Sequence, residues 1–119
     1  MQVDPRRTLG SLGEDAALGV YLRRGYRVVV RNWRCRLGEL DLVLARGDTL
    51  VVCEVKTRRG SAFGVGFEAV TGRKRAKVRS VTEAFLLASG AKPRAIRFDV
   101  ASVSLGPGGA QVELFEDAF

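Results

Sequence analysis

Glu39-Leu40-Asp41-Leu42-Val43-Leu44-Ala45-Arg46, then Gly47-Asp48, then Thr49-Leu50-Val51-Val52-Cys53-Glu54-Val55-Lys56-Thr57-Arg58 is the stretch whose reading decides the fold. Both arms are apolar and rich in strand-forming residues, and a Gly-Asp pair between two such arms signals a tight hairpin. A two-residue loop sets Arg46 opposite Thr49, and the register then runs outward to Asp41 opposite Glu54 and Glu39 opposite Lys56. Side chains alternate along a strand, so all four of these charged residues fall on one face. Facing Cβ atoms are only about 4.5–5.5 Å apart, and two carboxylates at that distance repel unless a cation lies between them.

The two arms do not read as solvated edges. Leu40, Leu42 and Leu44 with Val51, Cys53 and Val55 build an apolar face opposite the acids, and Val43, Leu50 and Val52 add apolar residues to the acidic side. Acids so placed are costly unless paired or metal-bound. Two answers fit. One is a hard divalent cation, magnesium or manganese, held by Asp41 and Glu54 and keeping its waters. The other is a pair of ordinary ion pairs, Glu39 with Lys56 and Asp41 with an arginine. Lys56 shares a face with Glu54, where its amine can orient a metal-held water or stabilise charge on a phosphate.

Outward from the hairpin, helical spacing and a glycine stop predict a helix over Ser11–Arg24, followed by a strand over Tyr26–Asn32. Trp33–Leu37 reads as a basic connection and Gly60–Gly66 as a glycine-rich loop. A second helix is expected over Thr71–Ser89, burying Val78, Val81, Phe85 and Ala88 and stopping at Gly90. A strand over Ala95–Val103, a turn at Gly106–Gly109 and a strand over Gln111–Phe115 complete an αβββαββ order. Three strands with short links form an antiparallel meander, and the second helix crosses to a fourth strand parallel to the third. The expectation is one α/β domain over residues 1–119, a mixed sheet with a helix on each side.

The chain has 119 residues and 46% hydrophobic content, which suits one modest core. It carries 20 Lys and Arg against 13 Asp and Glu, a formal charge of +7. The excess is concentrated: fifteen basic residues and five acids lie between Arg23 and Arg79. Such a basic body suits a polyanion, nucleic acid first. No histidine is present, which excludes Ser-His-Asp and Cys-His catalysis and imidazole ligands. Cys35 and Cys53 are too few for a zinc site and read as free thiols, Cys53 in the core. No apolar run is long enough to cross a membrane, and the first residues lack the apolar stretch of a secretory signal. A cytoplasmic protein is the expectation.

The candidate phosphate contacts are Arg31, Arg34, Arg36, Arg58, Arg73, Lys74, Arg75 and Lys77. Arg73, Lys74 and Arg75 fall in the first turn of the second helix, where cations oppose the helix dipole and a bound anion would offset them. Lys74 shares a stripe with Val78 and Val81 and leans toward the sheet, whereas Arg73, Arg75 and Arg79 read as more exposed. Trp33 either contacts a nucleic-acid backbone or caps the core. Phe63 and Phe67 either stack on unpaired bases or tuck inward. Ser11-Leu12-Gly13-Glu14 fits a capping box, with Glu14 satisfying the helix start.

Asp41, twelve intervening residues, then Glu54-Val55-Lys56 resembles the PD-(D/E)xK signature of restriction-endonuclease-like nucleases, with Leu40 where the named signature has proline. The wider set is more specific: Gly13-Glu14, Tyr21-Leu22, Gly25-Tyr26, Arg31-Asn32, Arg34, Gly38 to Leu42, Glu54 to Lys56, Arg58 and Phe63-Gly64. It resembles the YraN family of small bacterial proteins predicted to be endonucleases and similar to archaeal Holliday-junction resolvases. The resemblance spans about residues 10 to 100. It implies a restriction-endonuclease-like fold, Mg2+ or Mn2+ bound by Asp41 and Glu54, and an active-site role for Lys56. It also implies that Glu14 approaches the same cluster, a role that competes with capping. The expected activity is metal-dependent hydrolysis of DNA phosphodiester bonds, with branched or single-stranded DNA as candidate substrates and a homodimer as a candidate assembly. A catalytically silent DNA-binding or scaffold protein on the same fold is the competing expectation.

Overall fold

The computed structural model describes residues 8–60 and 72–119. Helix α1 spans Leu9–Arg23, and its cap is Thr8, in extended geometry, with Oγ1 accepting the Ser11 N–H at 3.1 Å. The capping box expected at Ser11 is therefore displaced by one turn. Ser11 is the third helical residue and a donor, and Glu14 lies further along the helix, where its carboxylate does no capping.

Strands β1 (Arg27–Cys35), β2 (Gly38–Arg46), β3 (Thr49–Arg59), β4 (Ala95–Gly106) and β5 (Gly109–Phe115) form one sheet in chain order. Helix α2 (Gly72–Ser89) links β3 to β4, which run parallel, and the other neighbours are antiparallel. The β2–β3 register, from Arg46 opposite Thr49 to Leu42 opposite Cys53, is the one a two-residue loop dictates. Gly47 supplies the positive φ, +58°, at the first central position of that loop, as in a II′ turn.

β1 continues through Trp33–Cys35, where a connection was expected, because Trp33 pairs with Leu40 and its ring meets Phe85 of α2 edge-on at 5.3 Å. Trp33 is thus a core residue.

Each sheet face buries its own layer. On one side Ala17 and Tyr21 of α1 pack with Tyr26, Leu42, Leu44, Val51, Cys53, Ala101 and Val103; on the other Val78, Val81 and Phe85 of α2 pack with Val43, Ala45, Leu50, Val52 and Phe98. Two expectations fail here. Ala88 is exposed, and the buried face includes Thr82 instead, whose hydroxyl bonds the Val78 carbonyl at 2.8 Å. Leu40 joins the α2 layer rather than the face of Leu42 and Leu44, so the alternation slips at Asp41. There, Asp41 Oδ2 accepts the Val55 N–H at 2.9 Å, a side chain serving a main-chain donor beyond the last ladder pair.

A buried carboxylate ties the α1 side together. Asp99 accepts the Tyr21 hydroxyl at 2.6 Å, Arg97 Nε and Nη2 at 2.9 Å each, and the Asp117 N–H at 2.9 Å. The buried acceptor is met from a helix, a strand and the C-terminal segment, as burial of a charge requires.

Candidate active site

Glu54 stands on the face of β3 that carries Leu50 and Val52, and it is 3% exposed. Burial, and then the negative charge of Asp41, push its carboxyl up to about 7, against the pull of Lys74 and Lys56. Its Oε1 lies 3.7 Å from Lys74 Nζ, and its Oε2 is buried with no hydrogen-bond partner. Asp41 is likewise raised, by burial first, although the Val55 N–H and both lysines favour its charged form. Two partly uncompensated carboxylates thus share one end of the β2–β3 hairpin, although the ladder ends at Leu42–Cys53 and the expected pairing of Asp41 opposite Glu54 is not formed.

The lysines split in opposite directions. Burial, a hydrogen bond with Lys74 and the Lys74 charge lower Lys56. Burial works against the charge of Lys74 as well, but the Lys56 hydrogen bond and the Glu54 and Asp41 charges outweigh it and raise Lys74. The surroundings thus favour the neutral form at Lys56 and the charged form at Lys74.

A cavity of about 530 Å³ opens onto the cluster, walled by Gly38, Glu39, Asp41 and Glu54 on the strands and by Arg73, Lys74 and Lys77 on α2. Gly38, at φ +152°, lets α2 come close: a Cβ there would sit 3.0 Å from Lys77 Cε and 3.2 Å from Val81 Cγ2.

The Glu39–Lys56 ion pair, one of the two alternatives left open by the sequence, is replaced. Glu39 lies opposite Arg34 across β1 and β2 and binds its Nε at 2.7 Å, which leaves Lys56 to Lys74 and the carboxylates.

Glu14 approaches from the other layer. Gly13 lets α1 lie against Thr57 of β3, and the next residue, buried Glu14, is raised by burial and by the Asp41 charge, with Asn32 and Arg31 opposing. Its Oε1 lies 3.6 Å from Arg31 Nη2 and makes no hydrogen bond. Asn32, which sequence reasoning did not single out as a site residue, holds φ +52° on β1 and hydrogen-bonds Glu14. A non-glycine residue in that region is a recognisable signal only once the backbone is seen.

The basic candidates divide by surroundings. Arg31 is held by Asp15 at 2.8 Å and Arg34 by Glu39. Arg36, Arg73 and Lys77 are exposed, the last two at the cavity wall. Arg58 and Arg75 are half-buried, each with a buried Nε lacking a partner; for Arg75 this corrects the expected exposure, because α2 turns that flank inward. Lys74 leans to the sheet as expected. Phe63, Gly64, Gly66, Phe67 and Thr71 lie outside the described residues.

Among the described residues no group of three or more His, Cys, Asp or Glu is gathered for a metal. Asp41 and Glu54 nevertheless fit a hard cation of the magnesium type, which takes one or two carboxylates and keeps several waters. The fit rests on the unpartnered Glu54 Oε2 in its buried setting.

Fold and site together define a mixed α/β protein, a five-stranded sheet flanked by helices, with carboxylates and lysines clustered at one end of a central hairpin. The family model described as "Uncharacterised protein family UPF0102" matches residues 13–103, and the chain belongs to that family, whose members are YraN-like. A UPF0102 protein of Parafrankia sp. is 48% identical over 103 residues, 87% of this chain and 86% of its own. One from Frankia alni is 45% identical over the whole of both chains, and one from Pelotomaculum thermopropionicum 42% identical over 98% of each. No helix among the described residues is long and apolar enough to cross a membrane.

Proposed function

We propose that the protein is a divalent-metal-dependent endodeoxyribonuclease with a restriction-endonuclease-like catalytic core. The observation that carries this reading is buried Glu54, its Oε2 without a partner, on the wall of one cavity with Asp41, whose carboxylate is held by the Val55 N–H; burial raises both carboxyls and lowers Lys56 beside them. Magnesium or manganese bound there would activate water and polarise a phosphate. Asp41 and Glu54 hold the cation. Lys56, its neutral form favoured by its surroundings, accepts a proton from the attacking water or donates a hydrogen bond to charge growing on the phosphate. Asp41 stays aligned through its bond from Val55 N–H. Arg73 and Lys77, exposed at the cavity wall, meet the DNA backbone, and branched or single-stranded DNA is the proposed substrate form.

The test is a panel of duplex, branched and single-stranded DNA with Mg2+ or Mn2+ and pure protein. Metal-dependent nicking that disappears in Asp41→Ala supports the reading. DNA binding without cleavage under every metal would instead favour the silent DNA-binding alternative.

A further inference from the structure

Lys74 was expected to serve a phosphate, yet its ammonium points into the acidic cluster. It lies 3.7 Å from Glu54 Oε1, on the cavity wall shared with Asp41 and Glu54, and bonds the Lys56 amine. Its side chain is 39% exposed while that of Glu54 is 4% exposed, so the lysine can swing out and the carboxylate cannot. A 3.7 Å separation is an ion pair but not a well-formed hydrogen bond, an interaction easily exchanged for a closer ligand. Lys74 rises from the first turn of α2, and a long flexible stem gives its head other positions nearby.

We propose that Lys74 is a tethered counter-ion for the Asp41–Glu54 pair, holding the carboxylates together until a divalent cation displaces it. This rests on the metal-binding reading above. Without the lysine, two carboxylates on the wall of one cavity, both raised by burial, would repel each other. With a divalent cation bound, the ammonium is a like charge within a few ångströms and is driven outward, along the wall where Arg73 and Lys77 stand. Arrival of the metal therefore does two things at once: it loads the carboxylates and sends a third cation toward the place where a DNA phosphate would lie. Affinity for metal is held down by this competition, and affinity for DNA is raised by its resolution.

Calorimetric titration of metal-free protein with Mn2+ tests the competition, and it reads binding rather than cleavage. Removal of a competing charge at this range in Lys74→Met is expected to tighten Mn2+ binding by about tenfold or more. Arg94→Met, which removes an equal charge at an exposed site paired with Asp48, is expected to leave Mn2+ affinity within about twofold, because exposed charges more than a Debye length away are screened. Lys74→Gln repeats the test if the methionine variant does not fold. In the wild type, amine-reactive labelling read by mass spectrometry is expected to rise at Lys74 on adding Mn2+. Equal or weaker Mn2+ binding by the Lys74 variants, or labelling that Mn2+ leaves unchanged while calorimetry shows binding, overturns the counter-ion role and leaves the metal site standing. Absence of Mn2+ binding in wild type and variants alike overturns the metal site itself, and the displacement with it.

Discussion

Gly13 of α1 and Thr57 of β3 approach so closely that a Cβ on Gly13 would lie 2.8 Å from Thr57 Cβ. That approach sets the depth at which the helix sits on the sheet, and so the reach of Glu14 toward Asp41. Alanine is the better helix former by about 1 kcal/mol, but overpacking of this kind costs about 1–3 kcal/mol. Because that Cβ would also overlap Thr57 Oγ1, the cost falls in the upper part of that range, and Gly13→Ala is expected to lower stability by about 1–2 kcal/mol in urea denaturation. An unchanged or raised midpoint would mean that the helix rides free of Thr57.

Glu54 makes metal-free stability depend on pH. Its carboxyl is raised from 4.5 to about 7 in the folded protein, so the native state binds the proton more tightly than the unfolded chain does. The stabilisation is complete below the unfolded value and is lost as pH rises through the folded one. Melting in EDTA is expected to be higher at pH 5 than at pH 8 by about 5 °C or more, and Glu54→Gln is expected to reduce that difference, leaving the smaller part carried by Asp41 and Glu14, which burial also raises. A slope undiminished in Glu54→Gln would assign it elsewhere.

Lys56 separates chemistry from stability. If its amine serves the attacking water or the growing phosphate charge, Lys56→Met lowers turnover at least ~100-fold, with DNA and Mn2+ affinities nearly unchanged. Nicking assays alongside binding isotherms decide this, and near-normal turnover in a folded variant would remove Lys56 from the reaction.

The hairpin was legible because Gly47-Asp48 admits few loops, and the loop determines the register from Arg46–Thr49 to Leu42–Cys53. The parallel placement of β4 followed from the length of the helical crossover. What sequence hid was local competition. The capping box was placed at Ser11, and only backbone geometry shows that the cap is Thr8, one turn earlier. Strict alternation placed Leu40 with Leu42, and it failed because the Asp41 side chain took the Val55 N–H. The partner of Lys74 was hidden for another reason: a helix-start lysine serves a phosphate or a carboxylate with the same pattern.

Phosphate binding is expected of the two exposed cations at the cavity wall. Replacing Arg73 and Lys77 with Gln should weaken DNA binding and reduce the salt slope by about 0.9 for each duplex phosphate that is no longer neutralised. A slope equal to that of the wild type would make them ordinary surface charge.

Thiol chemistry should distinguish the cysteines. Cys53 is fully buried beneath Tyr21, with its thiol pushed up chiefly by burial, while Cys35 is half-buried. Reactivity follows thiolate content and access. Alkylation of the folded protein is expected to modify Cys35 first and Cys53 only on unfolding; equal rates would show that the α1 layer opens.

Asp99 has a consequence for how the molecule opens. Its oxygens are bonded at once to Tyr21, Arg97 and the Asp117 amide, so the C-terminal segment cannot peel away without leaving a core carboxylate short of a donor. Chain ends ordinarily fray and exchange their amide protons quickly. The Asp117 amide, near the end of the described residues, should instead exchange with solvent deuterium on the slow timescale of the central strands, reporting cooperative unfolding rather than local breathing.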